Sequence, residues 1–529
     1  MSTHRSDVLI IGGGLAGLSL AVQLRRELPQ ASVRVLERRR HPVPLGAFKV
    51  GESTVEIGAD YFDRVLGLRE HLDREQIRKF GFRFFFNEAC DDLAEVTELG
   101  VRSVLPTPTF QLDRGVFENF LAQHAMQLGA EFFDGAVVRE IQLQDDGDHA
   151  VRYERDGTVH EAHARWVIDA SGRAGLLKHK LGLREDNAHD ANAIWFRIAE
   201  RIAIDEWSDD AEWCARCTPR ERWRSTNHLC GPGYWAWLIP LSSGSHSVGI
   251  VADAALHPLE SINSFDKAME WFARHQPQLF RALEAKRDKL QDFAFLRHFS
   301  YGCKQVFSAQ RWALTGEAGV FLDPFYSPGS DFIAIGNTYI AALIARDLSG
   351  ARIDRDVRLF QNLYFSFYRN MLTLYERQYP MFGHAELMPL KVTWDYAYYW
   401  GVLCQFFFQR RLTDVALFAR LGEPLARCEI LNREIQLLLR HAAGAEVGNT
   451  QRRMLDQCEL PWFVELNRGL CDTLDEAALE QRIRDSETML HTLAAEIVAR
   501  VRSLGGQVPP ELRELAVLGA CEENLLRAA

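Results

Sequence analysis

The sequence DVLIIGGGLAG, residues 7–17, decides the fold of this chain. Its first five residues read as a short apolar strand, and a glycine-rich turn follows at once. Residues 18–28 then have the apolar spacing of a helix, and residues 33–36 read as a second strand that ends at Glu37. A strand, a glycine turn, a helix, a strand and an acidic residue in this order predict a dinucleotide-binding unit.

The residues of the turn have separate physical roles in such a unit. Gly12 permits the tight turn, Gly14 lets a pyrophosphate approach the backbone, and Gly17 lets the helix pack against the sheet. Glu37 lies 20 residues beyond Gly17 and would accept hydrogen bonds from an adenosine ribose. The predicted dinucleotide-binding residues here are Gly12, Gly14, Ala16, Gly17, Glu37 and Arg38.

Three later segments favour FAD over NAD as the dinucleotide. WVIDASGR, residues 166–173, and WALTGEAG, residues 312–319, each read as a strand that ends in a turn of small residues. Asp113 and Arg114 precede an amphipathic helix, where flavoproteins often hold the cofactor, and a helix-start ion pair is the alternative for Arg114. Repeated returns to one dinucleotide are typical of flavoproteins. These segments add Arg114, Asp169, Gly316 and Glu317 to the predicted FAD site.

The loop FLDPFYSPGSD, residues 321–331, has the composition of an anion site. It follows a predicted strand and precedes a predicted helix over residues 332–348. Pro324 and Pro328 stiffen the loop, while Gly329 lets a ligand approach the main chain. A small-residue loop at a helix start can receive an anion on its backbone N–H groups. An ordinary buried strand-to-helix turn is the alternative interpretation.

The segments between and after these returns have a different composition. Residues 190–300 are rich in tryptophan and contain alternating patches such as HSVGIV, residues 246–251, which predict an inserted sheet. From residue 351 onward the apolar spacing is mostly helical. The many aromatic residues there serve either as core or as a groove for a bulky or carrier-bound substrate.

The sequence therefore predicts an α/β fold with three kinds of region. These are an FAD-binding, Rossmann-like domain that resembles the domain of the GR2-type flavin monooxygenases, an inserted β-sheet substrate domain and a mostly helical C-terminal region. The predicted boundaries are 1–185 and 301–350 for the two parts of the FAD-binding domain, 186–300 for the inserted sheet and 351–529 for the helical region.

The composition argues against several classes of partner. The 529 residues carry a net charge of −11 and the pI is about 5.9, which disfavours nucleic acid and anionic membrane surfaces. No apolar run approaches the roughly 20 residues of a membrane span, and the first residues leave no room for a signal peptide. Ten cysteines are scattered, and the pair Cys214 and Cys217 has no second pair to complete a zinc site. We therefore expect a cytoplasmic protein with reduced thiols and no metal.

Three further motifs carry a resemblance to a known family. They are FKVGEST at residues 48–54, WAWLIP at residues 235–240 and FLDPFYSPG at residues 321–329. With the glycine loop, they resemble the flavin-dependent halogenases, whose W-x-W-x-I-P and F-x-x-P-x-x-S-x-G motifs are present without a mismatch. The resemblance covers roughly residues 5–350. The tryptophan motif is its specific part, since the glycine loop alone also occurs in hydroxylases and reductases.

The resemblance implies a reaction. In that family reduced FAD reacts with O₂ to form a C4a-hydroperoxide, which halide attacks to release hypohalous acid. The halide site implied here is Ser327, Pro328 and Gly329, where backbone N–H groups would offset the lost hydration of the anion. Because the chain has no second nucleotide fingerprint, we expect a separate flavin reductase to supply FADH₂.

The resemblance also implies residue roles. A lysine delivers the halogen in that family, and Lys49 occupies the matching position, where its ammonium would polarise the oxidant or become a haloamine. A solvent-facing lysine is the alternative. Trp235 and Trp237 would separate flavin from substrate, or fill a core, or do both. The implied catalytic residues are Lys49, Ser327, Trp235, Trp237 and Tyr326, and the cofactor-binding set gains Lys49, Glu52, Ser53, Pro324 and Gly329.

Tyr326 departs from the tryptophan halogenases, which carry a glutamate at that position. Loss of the carboxylate removes an obvious base, and a ring with its own activating group needs such a base less. The implied substrate is therefore an electron-rich phenol or pyrrole, free or tethered to an acyl carrier protein, rather than tryptophan. The pair Gly316-Glu317 also replaces the commoner Gly-Asp, and glutamate can still reach the ribityl chain.

Two other classes of function stay open. One is a flavin monooxygenase or dehydrogenase of the same fold that uses no halide. The other is a non-catalytic FAD-binding protein that escorts an acyl carrier or a pigment precursor.

Overall fold

The computed structural model describes residues 4–45, 49–86, 90–445, 447–449, 454–518 and 525–526. The chain forms two compact units. The first unit comprises Met1–Gln76, Leu112–Asn187 and Ser300–Ser366, and the second unit comprises Ile77–Gln111, Ala188–Phe299 and Phe367–Ala529. Both units are therefore assembled from segments that are distant in the sequence.

Strands occur throughout the first 320 residues and once near the C-terminus. In chain order the strands are β1 His4–Ile11, β2 Val33–Leu36, β3 Ile77–Arg78, β4 Phe82–Phe86, β5 Thr97–Gly100, β6 Phe110–Gln111, β7 Glu131–Phe133, β8 Val137–Gln142, β9 His149–Arg155, β10 Thr158–Asp169, β11 Arg184–Glu185, β12 Ala191–Ile198, β13 Thr226–Gly231, β14 Tyr234–Pro240, β15 His246–Asp253, β16 Leu290–Leu296, β17 Gly302–Cys303, β18 Trp312–Leu314 and β19 Met454–Asp456.

Helices dominate the chain after residue 328. In chain order the α-helices are α1 Leu15–Glu27, α2 Glu56–Asp60, α3 Arg69–Glu75, α4 Arg114–Gln127, α5 Leu176–Lys180, α6 Ala211–Ala215, α7 Phe265–His275, α8 Pro277–Glu284, α9 Gly329–Leu348, α10 Asp354–Thr373, α11 Leu387–Tyr398, α12 Cys404–Phe408, α13 Val415–Arg420, α14 Gly422–Gly444, α15 Pro461–Arg468, α16 Glu476–Ser503 and α17 Arg513–Ala516. Among the described residues, none of these helices combines the length and the apolar character that crossing a bilayer requires.

The first unit is built on a seven-stranded sheet in the order β7-β2-β1-β10-β9-β8, with β18 paired to β10. Strands β2, β1, β10 and β18 run parallel, so their carboxyl ends meet at one edge. Ile11 pairs with Asp169, and Asp169 pairs with Leu314. The glycine loop and two of its predicted returns therefore lie side by side at that edge, where α/β sheets bind their ligands.

Helix α9 is tied to this edge by one buried amide. The side-chain amide nitrogen of Asn337 donates to the carbonyl oxygen of Ala16 at 3.2 Å and to the hydroxyl oxygen of Tyr61 at 3.0 Å. Thr315, which follows β18, donates its hydroxyl to the amide oxygen of Asn337 at 2.7 Å. The helix begins three residues earlier than predicted, at Gly329 instead of Phe332. The prediction used apolar spacing, and the three polar or small residues before Phe332 contribute nothing to that spacing.

The second unit is built on an eight-stranded sheet in the order β16-β12-β15-β14-β13-β4-β5-β19. Strand β14 carries the tryptophan motif and lies between β15 and β13. One face of this sheet packs against α7 and α8 through buried residues such as Trp271, Phe272 and Leu279. The central position of β14 makes the motif part of the most enclosed portion of the sheet.

The predicted fold class is confirmed, and the second sheet contains more of the chain than predicted. Strands β4 and β5, from residues 82–100, and β19, from the helical C-terminal region, join the sheet expected from residues 186–300. The sequence FRFFF of β4 is buried along its whole length and so lacks the alternation of a half-exposed strand. In the C-terminal region, Trp394 and Trp400 are fully buried, as expected of core residues.

A buried charge cluster holds part of the second sheet together. The carboxylate of Glu98 accepts from the guanidinium groups of Arg83 and Arg222, and all three side chains have no solvent exposure. Burial alone would raise the pKa of Glu98, but the two arginines outweigh it and the pKa of Glu98 is lowered. The ionised Glu98 therefore stabilises the folded state at pH values above the ordinary glutamate pKa. This contribution to the free energy of unfolding is lost as the pH falls through the lowered pKa of Glu98.

We predict that Glu98→Gln destabilises the second unit by about 3–5 kcal/mol, because two buried guanidinium groups lose their compensating carboxylate. Urea unfolding at neutral pH measures the loss. Glu260→Gln is the control, since Glu260 forms an exposed ion pair with Arg297 at 2.6 Å and its loss should not shift the midpoint. Equal, small effects of both substitutions would contradict a structural role for the buried cluster.

Candidate active site

The glycine loop has the geometry that a bound dinucleotide requires. Gly12 has a φ of 113°, and a Cβ there would lie 2.2 Å from the carbonyl oxygen of Ala170. A Cβ at Gly17 would lie 2.0 Å from the carbonyl oxygen of Gly12, whereas a Cβ at Gly14 would meet nothing within 4 Å. Gly12 and Gly17 are therefore required by close packing, and Gly14 faces open space that a pyrophosphate can occupy.

Glu37 braces the glycine loop from the end of β2. Its buried carboxylate accepts from the backbone N–H of Gly13 at 2.6 Å and from that of Arg39 at 2.7 Å. Arg38, beside it, is exposed. The structure thus places Glu37 at the loop as predicted from the spacing, and adds a bond to the loop backbone that the sequence did not show.

Asp169 ends β10 opposite Ile11, the residue directly before Gly12. Its buried carboxylate accepts from the backbone N–H and the hydroxyl of Ser171, at 3.0 and 2.6 Å, and from the N–H of Leu177 at 2.7 Å. Burial raises the pKa of Asp169, and these hydrogen bonds oppose the rise. Since its oxygens are engaged by the turn itself, Asp169 shapes the backbone that faces the glycine loop.

The turn after β18 comes close to the start of α1. Gly316 has a φ of 59°, and a Cβ there would lie 2.9 Å from the Cβ of Ala16. The backbone oxygen of Glu317 accepts from the hydroxyl of Tyr301 at 2.7 Å and from the ammonium of Lys178 at 3.3 Å. Burial lowers the pKa of Lys178 to about 8 and raises the pKa of Glu317. Ala16 and Gly316, both members of the predicted FAD site, are thus neighbours, and sequence reasoning did not single out Lys178.

The predicted anion loop ends in a helix start with open space beside it. Ser327 adopts a φ of 52°, in the left-handed region that non-glycine residues rarely occupy. Its N–H donates to the carbonyl oxygen of Pro324 at 2.9 Å, which closes the turn. Gly329, the first residue of α9, is exposed, and a Cβ there would meet nothing within 4 Å. The N–H groups of Asp331 and Phe332 donate to the carbonyl oxygen of Pro328, so the amides of this helix start that suit a small anion are those of Gly329 and Ser330.

Lys49 is held inside the first unit by a buried carboxylate. Its ammonium pairs with Glu118 of α4, and only 19% of the Lys49 side chain and none of the Glu118 side chain is exposed. Arg114 pairs with the other oxygen of Glu118 at 2.5 Å and donates to the carbonyl oxygen of Val50 at 2.7 Å. Lys49 is therefore not solvent-facing, and Arg114 forms the helix-start ion pair that was its alternative interpretation.

Two later residues of the segment that contains Lys49, Glu52 and Ser53, are buried. Glu52 is 2% exposed and Ser53 is 4% exposed. The backbone N–H of Leu112 donates to the carbonyl oxygen of Glu52 at 2.7 Å, which joins the segment to the residues before α4. Phe48, the first residue of the motif, lies outside the described residues.

The tryptophan motif is buried in the second unit. Trp235 and Trp237 are each 2% exposed, and their rings are 5.6 Å apart. The indole N–H of Trp235 donates to the hydroxyl of Tyr379 at 2.9 Å, and that of Trp237 donates to the hydroxyl of Ser247 at 3.1 Å. Both rings are therefore fixed in orientation as well as buried.

Lys79 is a candidate that the sequence reading passed over. It is 3% exposed, and its ammonium lies 3.4 Å from the centroid of the Phe82 ring. The Phe82 ring is 5.2 Å from the ring of His228, which is in turn 5.2 Å from the ring of Trp235. The signal in the sequence that could have identified Lys79 is its position just before the aromatic residues of β4. A charged side chain next to such a run has little access to water.

Tyr326 lies within the anion loop, directly before Ser327, in the first unit. It is 8% exposed, and its ring packs against that of Phe325 with centroids 4.7 Å apart. The position that carries a glutamate in the tryptophan halogenases thus holds a largely buried aromatic ring here.

Comparison with known proteins identifies relatives. The family model described as FAD binding domain matches residues 5–255. The flavin-dependent halogenase chlA of Dictyostelium discoideum is 29% identical over 436 residues, which cover 75% of this chain and 70% of that protein. A 1H-pyrrole-2-carbonyl-(peptidyl-carrier protein) chlorinase of Pseudomonas fluorescens is 28% identical over 366 residues, which cover 65% of this chain and 76% of that protein.

Solved structures share the fold. The crystal structure of halogenase PltM matches with a TM-score of 0.66 at 19% identity, over 94% of this chain and 98% of that one. The flavin-dependent brominase Bmp2 matches with a TM-score of 0.57 at 23% identity, over 72% of this chain and 89% of that one. The helical C-terminal region is therefore included in the match to PltM.

The fold and the glycine loop define an FAD-binding α/β oxidoreductase. The relatives support the resemblance that the motifs carry: the chain is similar to flavin-dependent halogenases.

We predict that Gly14→Val weakens FAD binding at least about tenfold, which corresponds to about 1.4 kcal/mol. The added side chain meets no protein atom but occupies the open space beside the loop. Flavin absorbance and fluorescence titration of the apoprotein measure the dissociation constant. Gly17→Ala is the matched comparison, because its Cβ collides with the Gly12 carbonyl and should lower the melting temperature. Unchanged FAD affinity in the folded Gly14→Val protein would contradict this pyrophosphate site.

Proposed function

We propose that the chain is an FADH₂-dependent halogenase that uses O₂ and halide to halogenate an electron-rich aromatic ring. The observation that carries the proposal is the combination, in one chain, of a dinucleotide edge, an anion-binding helix start and a buried W-x-W-x-I-P strand. Overall, a ring hydrogen is replaced by halogen, reduced FAD supplies two electrons, and the two oxygen atoms leave as water.

FAD, when bound, supplies the reduced flavin that activates O₂ as an oxidant for halide. Gly12, Gly14 and Gly17 would receive its pyrophosphate, and Glu37 would face its ribose. The turns at Asp169 and Gly316, which meet the glycine loop and Ala16, would enclose it further. These residues fit the cofactor because the loop combines tight protein packing on one side with open space on the other.

Halide would bind at the start of α9. The backbone N–H groups of the first turn and the hydroxyl of Ser327 would replace the hydration that the anion loses. The helix is 20 residues long, so its N-terminus carries the full partial positive charge of a helix end. Asp331, in the same turn, is bonded to α2, since its carboxylate accepts from the N–H of Gly58 at 2.9 Å.

A lysine amine would carry the electrophilic halogen to the substrate. Lys49 is the residue that the motif indicates, and its pairing with Glu118 keeps the amine inside the first unit. Lys79 is the second candidate, favoured by its burial against Phe82 in the aromatic cluster that contains Trp235. In either case the amine polarises hypohalous acid or forms a haloamine, and the ring gives up a proton as the carbon–halogen bond forms.

Trp235 and Trp237 would prevent direct oxygenation of the substrate by the flavin oxidant. Two large indole rings with both N–H groups bonded form a rigid, water-excluding wall. The consequence would be that only the freely diffusing hypohalous acid, and not the flavin oxidant itself, meets the substrate.

The substrate would be a phenol or pyrrole. Tyr326 offers no carboxylate to take up a ring proton, so a ring activated by its own hydroxyl or nitrogen suits the site better than an unassisted indole. Two relatives are named for halogenating a pyrrole on a peptidyl carrier protein, one a chlorinase and one a brominase, which supports a carrier-bound substrate here as well. Reduced flavin would come from a separate reductase.

We predict a halogenated product when the protein is incubated with reduced FAD, O₂, bromide or chloride, and free or carrier-bound phenols and pyrroles. Mass spectrometry detects the product by its halogen isotope doublet, which also identifies the ring. The control omits halide, and it should give peroxide without any aromatic product. An oxygenated product that forms equally well without halide would contradict the proposal and favour a flavin monooxygenase.

We predict that Lys49→Met lowers halogenated product about 100-fold or more, because the variant keeps side-chain length but has no amine. FAD should stay bound and peroxide should still be released, as flavin absorbance and a peroxidase assay show. Glu118 stays paired with Arg114 in this variant, which protects the fold.

Lys79→Met is the matched comparison for Lys49→Met. It should retain FAD and at least part of the halogenating activity if Lys49 carries the halogen. Full activity of Lys49→Met together with loss of product in Lys79→Met would remove Lys49 from the mechanism and assign the role to Lys79.

A further inference from the structure

One residue of the C-terminal region bonds both the side chain and the backbone of the tryptophan strand. The hydroxyl of Tyr379 accepts the indole N–H of Trp235 at 2.9 Å. The carbonyl oxygen of the same tyrosine accepts the N–H of Gly233, just before β14, at 2.9 Å. Tyr379 is 2% exposed, so both bonds form away from water, where they are strongest.

The chain around Tyr379 is fitted closely to the turn between β13 and β14. Tyr379 begins a one-turn 3-10 helix that ends at Met381. A Cβ on Gly383 would lie 2.9 Å from the ring of Pro232, so a side chain at position 383 would push this segment away from the turn. We call residues 379–383 the tyrosine clamp.

Aromatic rings fix the orientation of Tyr379 itself. Its ring stacks on that of Phe382 with centroids 4.6 Å apart, and the ring of His189 lies 5.3 Å away. A hydroxyl held in this way presents its oxygen to Trp235 in one direction only. The clamp is therefore a rigid support and not a flexible contact.

Trp237 is held differently. Its indole N–H donates to Ser247 of the neighbouring strand β15, and its ring covers Gly249 of that strand, where a Cβ would lie 2.2 Å from the indole. Both of these contacts of Trp237 lie within the sheet. Trp235 is the member of the pair whose orientation depends on the C-terminal region.

We propose that Tyr379 is a positioning residue that sets the orientation of Trp235 and so keeps the flavin oxidant on the path to halide. This inference rests on the proposed halogenase function. Without the hydroxyl, the indole N–H is left buried and unsatisfied, and the ring turns to find another partner. The role of the helical C-terminal region would then include control of how efficiently reduced flavin is used.

The test is Tyr379→Phe, which removes one hydroxyl and keeps the ring and the backbone bond to Gly233. The measured quantity is the coupling ratio, the moles of halogenated product formed per mole of reduced FAD oxidised at saturating halide and substrate. We expect the ratio to fall about fivefold, with a matching rise in peroxide or oxygenated substrate. The dissociation constant of FAD should not change.

Tyr234→Phe is the matched control. Tyr234 is the neighbour of Trp235 in β14 and is 1% exposed, and its hydroxyl donates to the carbonyl oxygen of His275 at 3.1 Å. This variant also loses a buried tyrosine hydroxyl, so it should lower the melting temperature comparably but leave the coupling ratio unchanged. A purely structural role of Tyr379 would make the two variants alike in both measurements, and that result would overturn the inference.

Trp235→Phe removes the same hydrogen bond from the other side and keeps the test decisive if Tyr379→Phe does not fold. Trp235→Phe should lower the coupling ratio at least as much as Tyr379→Phe does, and the variant that carries both substitutions should show no further loss. A ratio equal to the wild-type value in Trp235→Phe would overturn the inference. A wild-type protein that makes no halogenated product at all would overturn the proposed function instead, so the two failures are distinguishable.

Discussion

The first unit depends on the direct approach of Gly17 to the carbonyl oxygen of Gly12. A side chain at either glycine would collide with backbone at 2.0–2.2 Å, so α1 can pack on β1 and β10 only if both residues lack a Cβ. The same approach turns Gly14 outward to open space. Local packing therefore creates the cofactor site, because the constraint that closes the fold on one side of the loop opens it on the other.

Charge is distributed unevenly over this acidic chain. Its net charge is −11, yet at α4 the two cations Lys49 and Arg114 share the single carboxylate of Glu118. The start of α9 adds a helix-end partial positive charge, and the carboxylate nearest to it in the sequence, Asp331, is engaged by Gly58. At α4 the cations thus exceed the paired carboxylate by one charge, although the chain as a whole is acidic.

Sequence periodicity was sufficient to predict the elements of a local motif, but it did not predict which distant segments of the chain come together. The strand Val33–Leu36 was predicted with its observed bounds, because a strand, turn and helix at fixed spacing specify one another. Strands β4 and β5 were not assigned to the second sheet, since five consecutive buried residues give no alternation to read. The partner of Lys49 was missed for a related reason: Glu118 lies on a helix that begins 65 residues later in the sequence than Lys49.

For the tryptophan strand, too, the sequence motif predicts the local residues but not their distant partners. The motif specifies which rings β14 carries, and its spacing of two places both rings on one face of the sheet. It does not specify how Trp235 is oriented, because its hydrogen-bond partner is 144 residues away in the sequence. Two chains with the same motif can therefore hold this ring differently if they differ at the position of Tyr379. Under the proposed function, the efficiency with which such a protein directs its oxidant to halide would depend on the C-terminal region as well as on the motif.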